Sequence, residues 1–126
     1  MTHRSRIGVV VVDCRTDDLT EAVAFWSGAL GVRGEIDADG KYAVFDGLTG
    51  PRVLLQAVEH APRVHLDFET DDREAECRRL AALGAREVAR VRDWIVMEAP
   101  TGHRFCLVPP QGADFPGGAP RWEVSP

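Results

Sequence analysis

His65 and Asp67 stand two residues apart in Arg63–Glu69, a stretch in which polar and apolar residues alternate. Successive side chains of an extended strand point to opposite faces, so this imidazole and carboxylate share one face. A carboxylate beside a histidine fixes one ring tautomer and leaves the other nitrogen as a base, the arrangement of a general acid–base catalyst. Asp13 closes a valine-rich stretch and offers a second carboxylate; Cys106 offers a thiol. Each also has a structural reading. A strand histidine commonly bonds a backbone carbonyl, and an aspartate at the head of a turn bonds the backbone two residues on. Cys106 has only His103 and Arg104 nearby in sequence to stabilise a thiolate, so a nucleophilic role is not assigned to it.

These residues belong to an internal repeat. Val10–Gly31 and Val64–Gly84 align so that Asp13 falls on Asp67, Thr16 on Thr70, and Asp17-Asp18 on Asp71-Asp72, and both stretches end in Ala-Leu-Gly. Further on, Thr49-Gly50-Pro51-Arg52-Val53-Leu54-Leu55 aligns with Thr101-Gly102-His103-Arg104-Phe105-Cys106-Leu107.

Each copy reads as strand, helix and three strands. Ile7–Cys14 suits a strand because β-branched side chains fit a pleated surface. Asp17 or Asp18 is placed to cap a helix whose apolar face is Leu19, Val23, Trp26 and Leu30, and Gly31 to end it. Strands are expected at Gly34–Asp37, Tyr42–Phe45 and Arg52–Val58, with a hairpin turn at Asp39-Gly40 and a loop at Gly50-Pro51. In the second copy Arg63–Glu69 is the strand, Asp71 or Asp72 caps a helix reaching about Leu83, and strands follow at Glu87–Val91, Trp94–Glu98 and Arg104–Val108. The proline- and glycine-rich tail after Pro110 reads as irregular, with Phe115 and Trp122 able to pin it. The divisions are a first module at about 6–60, a second at about 61–110 and a tail at 111–126, all in one domain.

Alternation then sorts the strands by face. Val64, Leu66 and Phe68 belong under the helix, and His65, Asp67 and Glu69 on the opposite side. The repeat carries this parity to Val9, Val11 and Asp13. The residues expected to line a ligand-sized cavity are Val11, Asp13, Leu54, Gln56, His65, Asp67 and Cys106, with Trp94 or Tyr42 as a wall.

Ala-Phe-Trp-x-x-x-Leu-Gly at 24–31, Val-His-Leu-Asp at 64–67 and Ala-Pro-Thr-Gly-His-Arg-Phe-Cys-Leu-Val at 99–108 resemble segments of the vicinal oxygen chelate superfamily, closest to its glyoxalase-like branch. That superfamily includes glyoxalase I, extradiol dioxygenases and bleomycin-resistance proteins. The resemblance spans roughly Arg6 to Pro110. It implies an α+β fold of two βαβββ modules curling a mixed sheet around a cavity, with helices on the outer face. It also implies a small-molecule ligand or substrate and a homodimer.

Metal-dependent members hold a divalent cation with His and Glu side chains, one from the first and one from the last strand of each module. The matching positions here are Val11, Leu54, His65 and Cys106. One of the four retains a family ligand type. The expectation is therefore a degenerate, metal-free site and no cofactor. The alternative is one Zn, Mn, Fe or Ni ion held by His65, Cys106 and Gln56, a chemically unusual set. Two functions stay open: a binder holding a small molecule among Val11, Asp13, Leu54, Gln56, Trp94 and Cys106, and a lyase, isomerase or dioxygenase-type enzyme, metal-dependent or using His65 as base with Asp67 or Asp13 orienting it. Glyoxalase I activity itself is not expected.

Composition fits this frame. The 126 residues suffice for one domain with a core, and 44% hydrophobic with 28% charged residues is ordinary for a soluble protein. A net charge of −5 gives no basic footprint for nucleic acid, and no apolar run approaches a membrane span. Three cysteines without short spacing argue against a disulfide framework, and the chain is expected to be cytoplasmic.

Overall fold

The computed structural model describes residues 2–48 and 51–123. Thr49 and Gly50, which open the second repeat echo and supply half of the Gly50-Pro51 loop, lie outside the described residues. The chain is α+β, and its contacts divide into two compact units: Val9–His65, and Met1–Gly8 together with Leu66–Pro126. The first eight residues join the second unit rather than preceding the first.

In the first unit the strand β1 (Thr2–Arg15) runs from Val9 onward parallel to β4 (Arg52–Val58), which pairs antiparallel with β3 (Tyr42–Phe45), which pairs antiparallel with β2 (Gly34–Ile36). The helix α1 (Thr20–Leu30) follows β1. The second unit repeats the plan. β5 (Arg63–Thr70) is parallel to β8 (Arg104–Val108), with β7 (Trp94–Glu98) and β6 (Arg86–Val91) added antiparallel, and α2 (Arg73–Ala82) follows β5. A first strand parallel to the last strand of its own module needs a crossover, and the helix supplies it.

The caps follow from local chemistry. Asp72 accepts from the Ala75 amide at 3.0 Å and starts α2 as a capping carboxylate should. In α1 the helix begins one residue later than a cap at Asp18 implies. Asp18 accepts from the amide of Thr20 at 2.9 Å and from its hydroxyl at 2.6 Å, and Leu19 occupies the cap position, fully buried. Gly31 ends α1 at φ 73°, a left-handed conformation open to glycine at no steric cost, and its amide bonds the Ser27 carbonyl.

Each unit has its own apolar cluster under its helix. Leu19, Ala43 and Leu55 form the first, with Val12, Cys14, Val23 and Trp26 against them. Ile95, Met97, Phe105 and Leu107 form the second, with Leu66, Phe68, Cys77 and Leu80. Residues of one parity in each strand enter these clusters, and the other parity is left for the opposite face. Burial holds the thiols of Cys14 and Cys77 above their ordinary range, and the neighbouring Asp13 and Glu87 carboxylates push the same way. Among the described residues, no helix is long and apolar enough to cross a membrane.

Within residues 111–123 the tail is ordered, against the expectation of irregular structure. It forms a short helix α3 (Phe115–Gly118) and a strand β9 (Arg121–Glu123) that pairs antiparallel with the first residues of β1. Two buried carboxylates bind it. Glu69 accepts from the amides of Gln111 and Gly112 and from Arg6 Nε, while Arg6 also grips Asp114. Gly8 leaves room for this arrangement, because a Cβ there would stand 2.3 Å from Glu69 Cγ. Glu76, fully buried on α2, accepts from His3 Nε2 at 2.7 Å, from Ser5 at 2.6 Å and from Arg79 through both oxygens. Trp122 then donates to Ser5 at 2.9 Å, and the Arg79 guanidinium lies 4.0 Å from its ring centroid. His3, which reads as a terminal residue in sequence, is buried here.

Burial alone would raise the Glu76 carboxyl pKa. The hydrogen bonds from Arg79, Ser5 and His3 outweigh that effect and hold it below its ordinary 4.5. A carboxyl depressed by folding adds stability above its unfolded value and loses it as pH falls through the folded one. Glu76→Ala is expected to destabilise the fold by about 3 kcal/mol in urea titration, because Arg79 and His3 lose their shared acceptor. Glu76→Gln is expected to reduce the loss of wild-type stability on acidification below pH 4.5. A variant with wild-type stability and wild-type acid sensitivity would show that this network contributes nothing.

Candidate functional site

The register of the first unit fixes the site. Asp13 pairs with Gln56 and Gln56 with Tyr42, so β1, β4 and β3 present an aspartate, an amide and a phenol in one row on the face opposite α1. Gln56 Nε2 donates to the Tyr42 hydroxyl at 3.2 Å. One row away, Val11 pairs with Leu54 and Leu54 with Val44. The face thus carries a polar row beside an apolar one. The parity of Tyr42, unsettled by sequence, is settled by its pairing with Gln56.

Asp13 organises the polar row. It is 2% exposed, and a single oxygen, Oδ2, meets Arg63 Nε at 3.2 Å and His65 Nδ1 at 3.1 Å, with His60 Nε2 at 3.6 Å. The other oxygen, Oδ1, is buried and has no hydrogen-bond partner among the described residues. Asp13 therefore does not act as a turn aspartate bonding its own backbone. An ionised carboxylate only accepts, so in this contact His65 Nδ1 is the donor. The sequence names His65 and Asp13 but pairs His65 with Asp67 as readily. It misses His60 and Arg63, whose only signal is their place just ahead of His65 in the chain.

The remaining expected residues fall as follows. Val11 is 1% exposed, sealed rather than lining an open space, while Leu54 and Gln56 are half-buried. On β5, His65 and Asp67 share a face as alternation requires, and Asp67 pairs in register with Cys106 on β8. Trp94 lies on the face of β7 opposite the one that carries Ile95 and Met97 into the core. It borders a pocket of about 360 Å³ in the second unit, otherwise lined mainly by charged residues such as Arg73, Glu74, Arg90 and Asp93. Arg90 there is bound by Glu74 and Glu87, so these charges satisfy one another instead of converging on a ligand. None of the other expected lining residues borders this pocket.

Of the four positions at which the resemblance places metal ligands, two carry hydrocarbon. Val11 and Leu54 face each other in register, and hydrocarbon side chains have no lone pair to donate. These two positions do not fit the His and Glu set, while His65 retains a ligand type of it. Gln56, an expected substitute, donates through its amide nitrogen to Tyr42, whereas a cation would be taken by its amide oxygen.

The geometry of Asp13 makes one spectroscopic expectation. In long-range ¹H–¹⁵N spectra the His65 ring should show its proton on Nδ1, and Asp13→Ala should release it to a mixture of tautomers. An unchanged tautomer in the variant would mean that another contact holds the ring.

A family model described as a glyoxalase-like domain matches residues 9–108. Among curated proteins no sequence matches. Several solved structures share the fold. A 2,2',3-trihydroxybiphenyl 1,2-dioxygenase from Sphingomonas wittichii is 19% identical with a TM-score of 0.59, over 86% of this chain and 42% of its own. A Mn(II)-bound glyoxalase from Novosphingobium aromaticivorans is 16% identical with a TM-score of 0.56, over 90% of this chain and 44% of its own. A structure described as an NAD-dependent benzaldehyde dehydrogenase from Legionella pneumophila is 18% identical with a TM-score of 0.58, over 78% of this chain and 96% of its own. This chain spans less than half the length of the dioxygenase and the glyoxalase. At such identities the likeness shows the fold alone.

Proposed function

Because this chain belongs to the glyoxalase-like domain family of the vicinal oxygen chelate superfamily, we propose that it is a metal-independent member that binds a small organic molecule at the Tyr42–Gln56–Asp13–His65 row. The observation that carries this reading is the contact of His65 Nδ1 with a sealed carboxylate, next to a row in which Val11 and Leu54 replace metal ligands. A ligand site needs apolar surface with a few placed polar groups. Leu54 and Val44 offer the first; Tyr42, Gln56 and His65 offer the second. His65 is held in one orientation before any ligand arrives, which reduces the entropy that binding must overcome.

A second reading adds turnover, and the fixed tautomer favours it. With Nδ1–H directed at Asp13, Nε2 of His65 is a base suited to removing a proton from carbon next to a carbonyl, the first step of an isomerase or a lyase. Asp13 stabilises the imidazolium that results, and the buried carboxylate needs no rearrangement to do so. Asp67, two residues along β5, is a further acid–base candidate, and Cys106 pairs with it. A homodimer is part of the same proposal.

The first test is metal content of the purified chain after growth with Zn, Mn, Fe and Ni, beside His65→Ala and Cys106→Ala. The expected result is substoichiometric metal in all three proteins. One metal per wild-type chain, lost in either variant, would overturn metal independence. The methylglyoxal–glutathione adduct should not be isomerised with or without added metal. For the catalytic reading, any turnover found in a panel of carbonyl compounds should disappear in His65→Ala while the circular dichroism spectrum is retained.

A further inference from the structure

Arg63 uses one of its donors and leaves a fork. Its Nε meets Asp13 at 3.2 Å, and its two terminal nitrogens have no hydrogen-bond partner among the described residues. The side chain is half exposed, whereas the carboxylate behind it is 1% exposed. A buried anion thus anchors the inner edge of a guanidinium whose outer edge opens to solvent. Anchoring matters, because a free arginine loses several rotors on capturing a ligand and a tethered one loses few. His60 stands at the same Asp13 oxygen, 45% exposed, with Nδ1 at 2.8 Å from the Ala61 carbonyl. His65 completes the set on the inner side, 13% exposed. Three nitrogen-bearing side chains therefore converge on one sealed carboxylate, and the outward parts of two of them face water.

This geometry points to a class of ligand. A planar guanidinium with two parallel N–H donors matches a carboxylate in bidentate fashion better than it matches any neutral group. The neighbouring row of Leu54 and Val44 is apolar, and Tyr42 supplies a ring beside it. We propose that this site takes an amphipathic carboxylate: the anionic head on the terminal nitrogens of Arg63 beside His60, the apolar body along Leu54, Val44 and Tyr42. The inference rests on the small-molecule reading above and adds the charge of the ligand. It also gives His65 a defined neighbour, since a carboxylate held at Arg63 sets the position of the ligand's other atoms relative to the row. Asp13 prevents a second anion from taking the inner position, because like charges repel across a buried site.

The test uses benzoate, its neutral isostere benzamide, and inorganic phosphate as probes in isothermal titration calorimetry, with wild-type protein, Arg63→Gln, Arg63→Lys and His65→Ala. Benzoate should bind wild type roughly tenfold or more tightly than benzamide does, as a charge-assisted bidentate pair requires. Arg63→Gln should remove that preference, so that benzoate and benzamide bind with similar affinity. Arg63→Lys should restore it only in part, because an ammonium is a point charge without a fork. Circular dichroism on each variant checks that the fold is retained. Equal binding of benzoate and benzamide, lost in His65→Ala, would overturn the anionic assignment and leave the small-molecule site standing. Phosphate binding without benzoate binding would overturn the carboxylate assignment. A preference for benzoate that survives in Arg63→Gln would overturn the role of Arg63. No binding by any probe would overturn both the assignment and the site.

Discussion

A carboxylate taken out of water must be met by donors or cations, or it raises the free energy of the fold. Among the described residues three carboxylates are almost fully buried: Asp13, Glu69 and Glu76. Much of the organisation answers that demand. Glu69 gathers two backbone amides and Arg6, and so fixes the start of the tail. Glu76 gathers His3, Ser5 and Arg79, and so joins α2 to the beginning of β1 and, through Trp122, to β9. Asp13 differs. Its donors crowd one oxygen and leave the other buried without a partner, a shortfall that costs about 1–3 kcal/mol in typical cases. The two satisfied carboxylates hold structure together; the half-satisfied one sits where the residues suited to chemistry meet.

The pleat provides the second constraint. Each strand sends one parity to its helix and the other to the opposite face, so one register decides every neighbour on that face. The pairs Val11–Leu54 and Asp13–Gln56 follow from the same alignment of β1 with β4. A shift by one residue would place Val12 and Leu55 on the site face and turn Asp13 toward the apolar cluster under α1. Core packing of Leu55 and Ala43 thus secures the polar row indirectly.

Membership of a family fixes the scaffold and leaves the reaction to particular side chains. The same fold serves a dioxygenase and a manganese glyoxalase among the structures it resembles. Where the resemblance expects ligands, this chain has hydrocarbon at Val11 and Leu54. What sets this chain apart there is the cluster of His65, Asp13 and Arg63.

The sequence by itself determined the elements of the two modules and the parity of β1, β4, β5 and β8. Tyr42–Phe45, Arg52–Val58, Trp94–Glu98 and Arg104–Val108 begin and end where alternation and turn residues put them, because those signals act within a few residues. The repeated Asp-Asp ahead of each helix was legible for the same reason. Tertiary structure decided the rest. Asp13 meets His65 and Arg63 from about fifty positions away, His3 reaches Glu76 from farther still, and Trp122 closes on Ser5 across nearly the whole chain. Nothing in local pattern marks such partners. A proline- and glycine-rich tail reads as irregular until buried carboxylates are found holding it, and a terminal histidine reads as exposed until the acceptor that buries it comes into place. Local propensity fixes what each segment becomes, while the need to neutralise buried charge, met only when distant segments are brought together, fixes which side chains form the site.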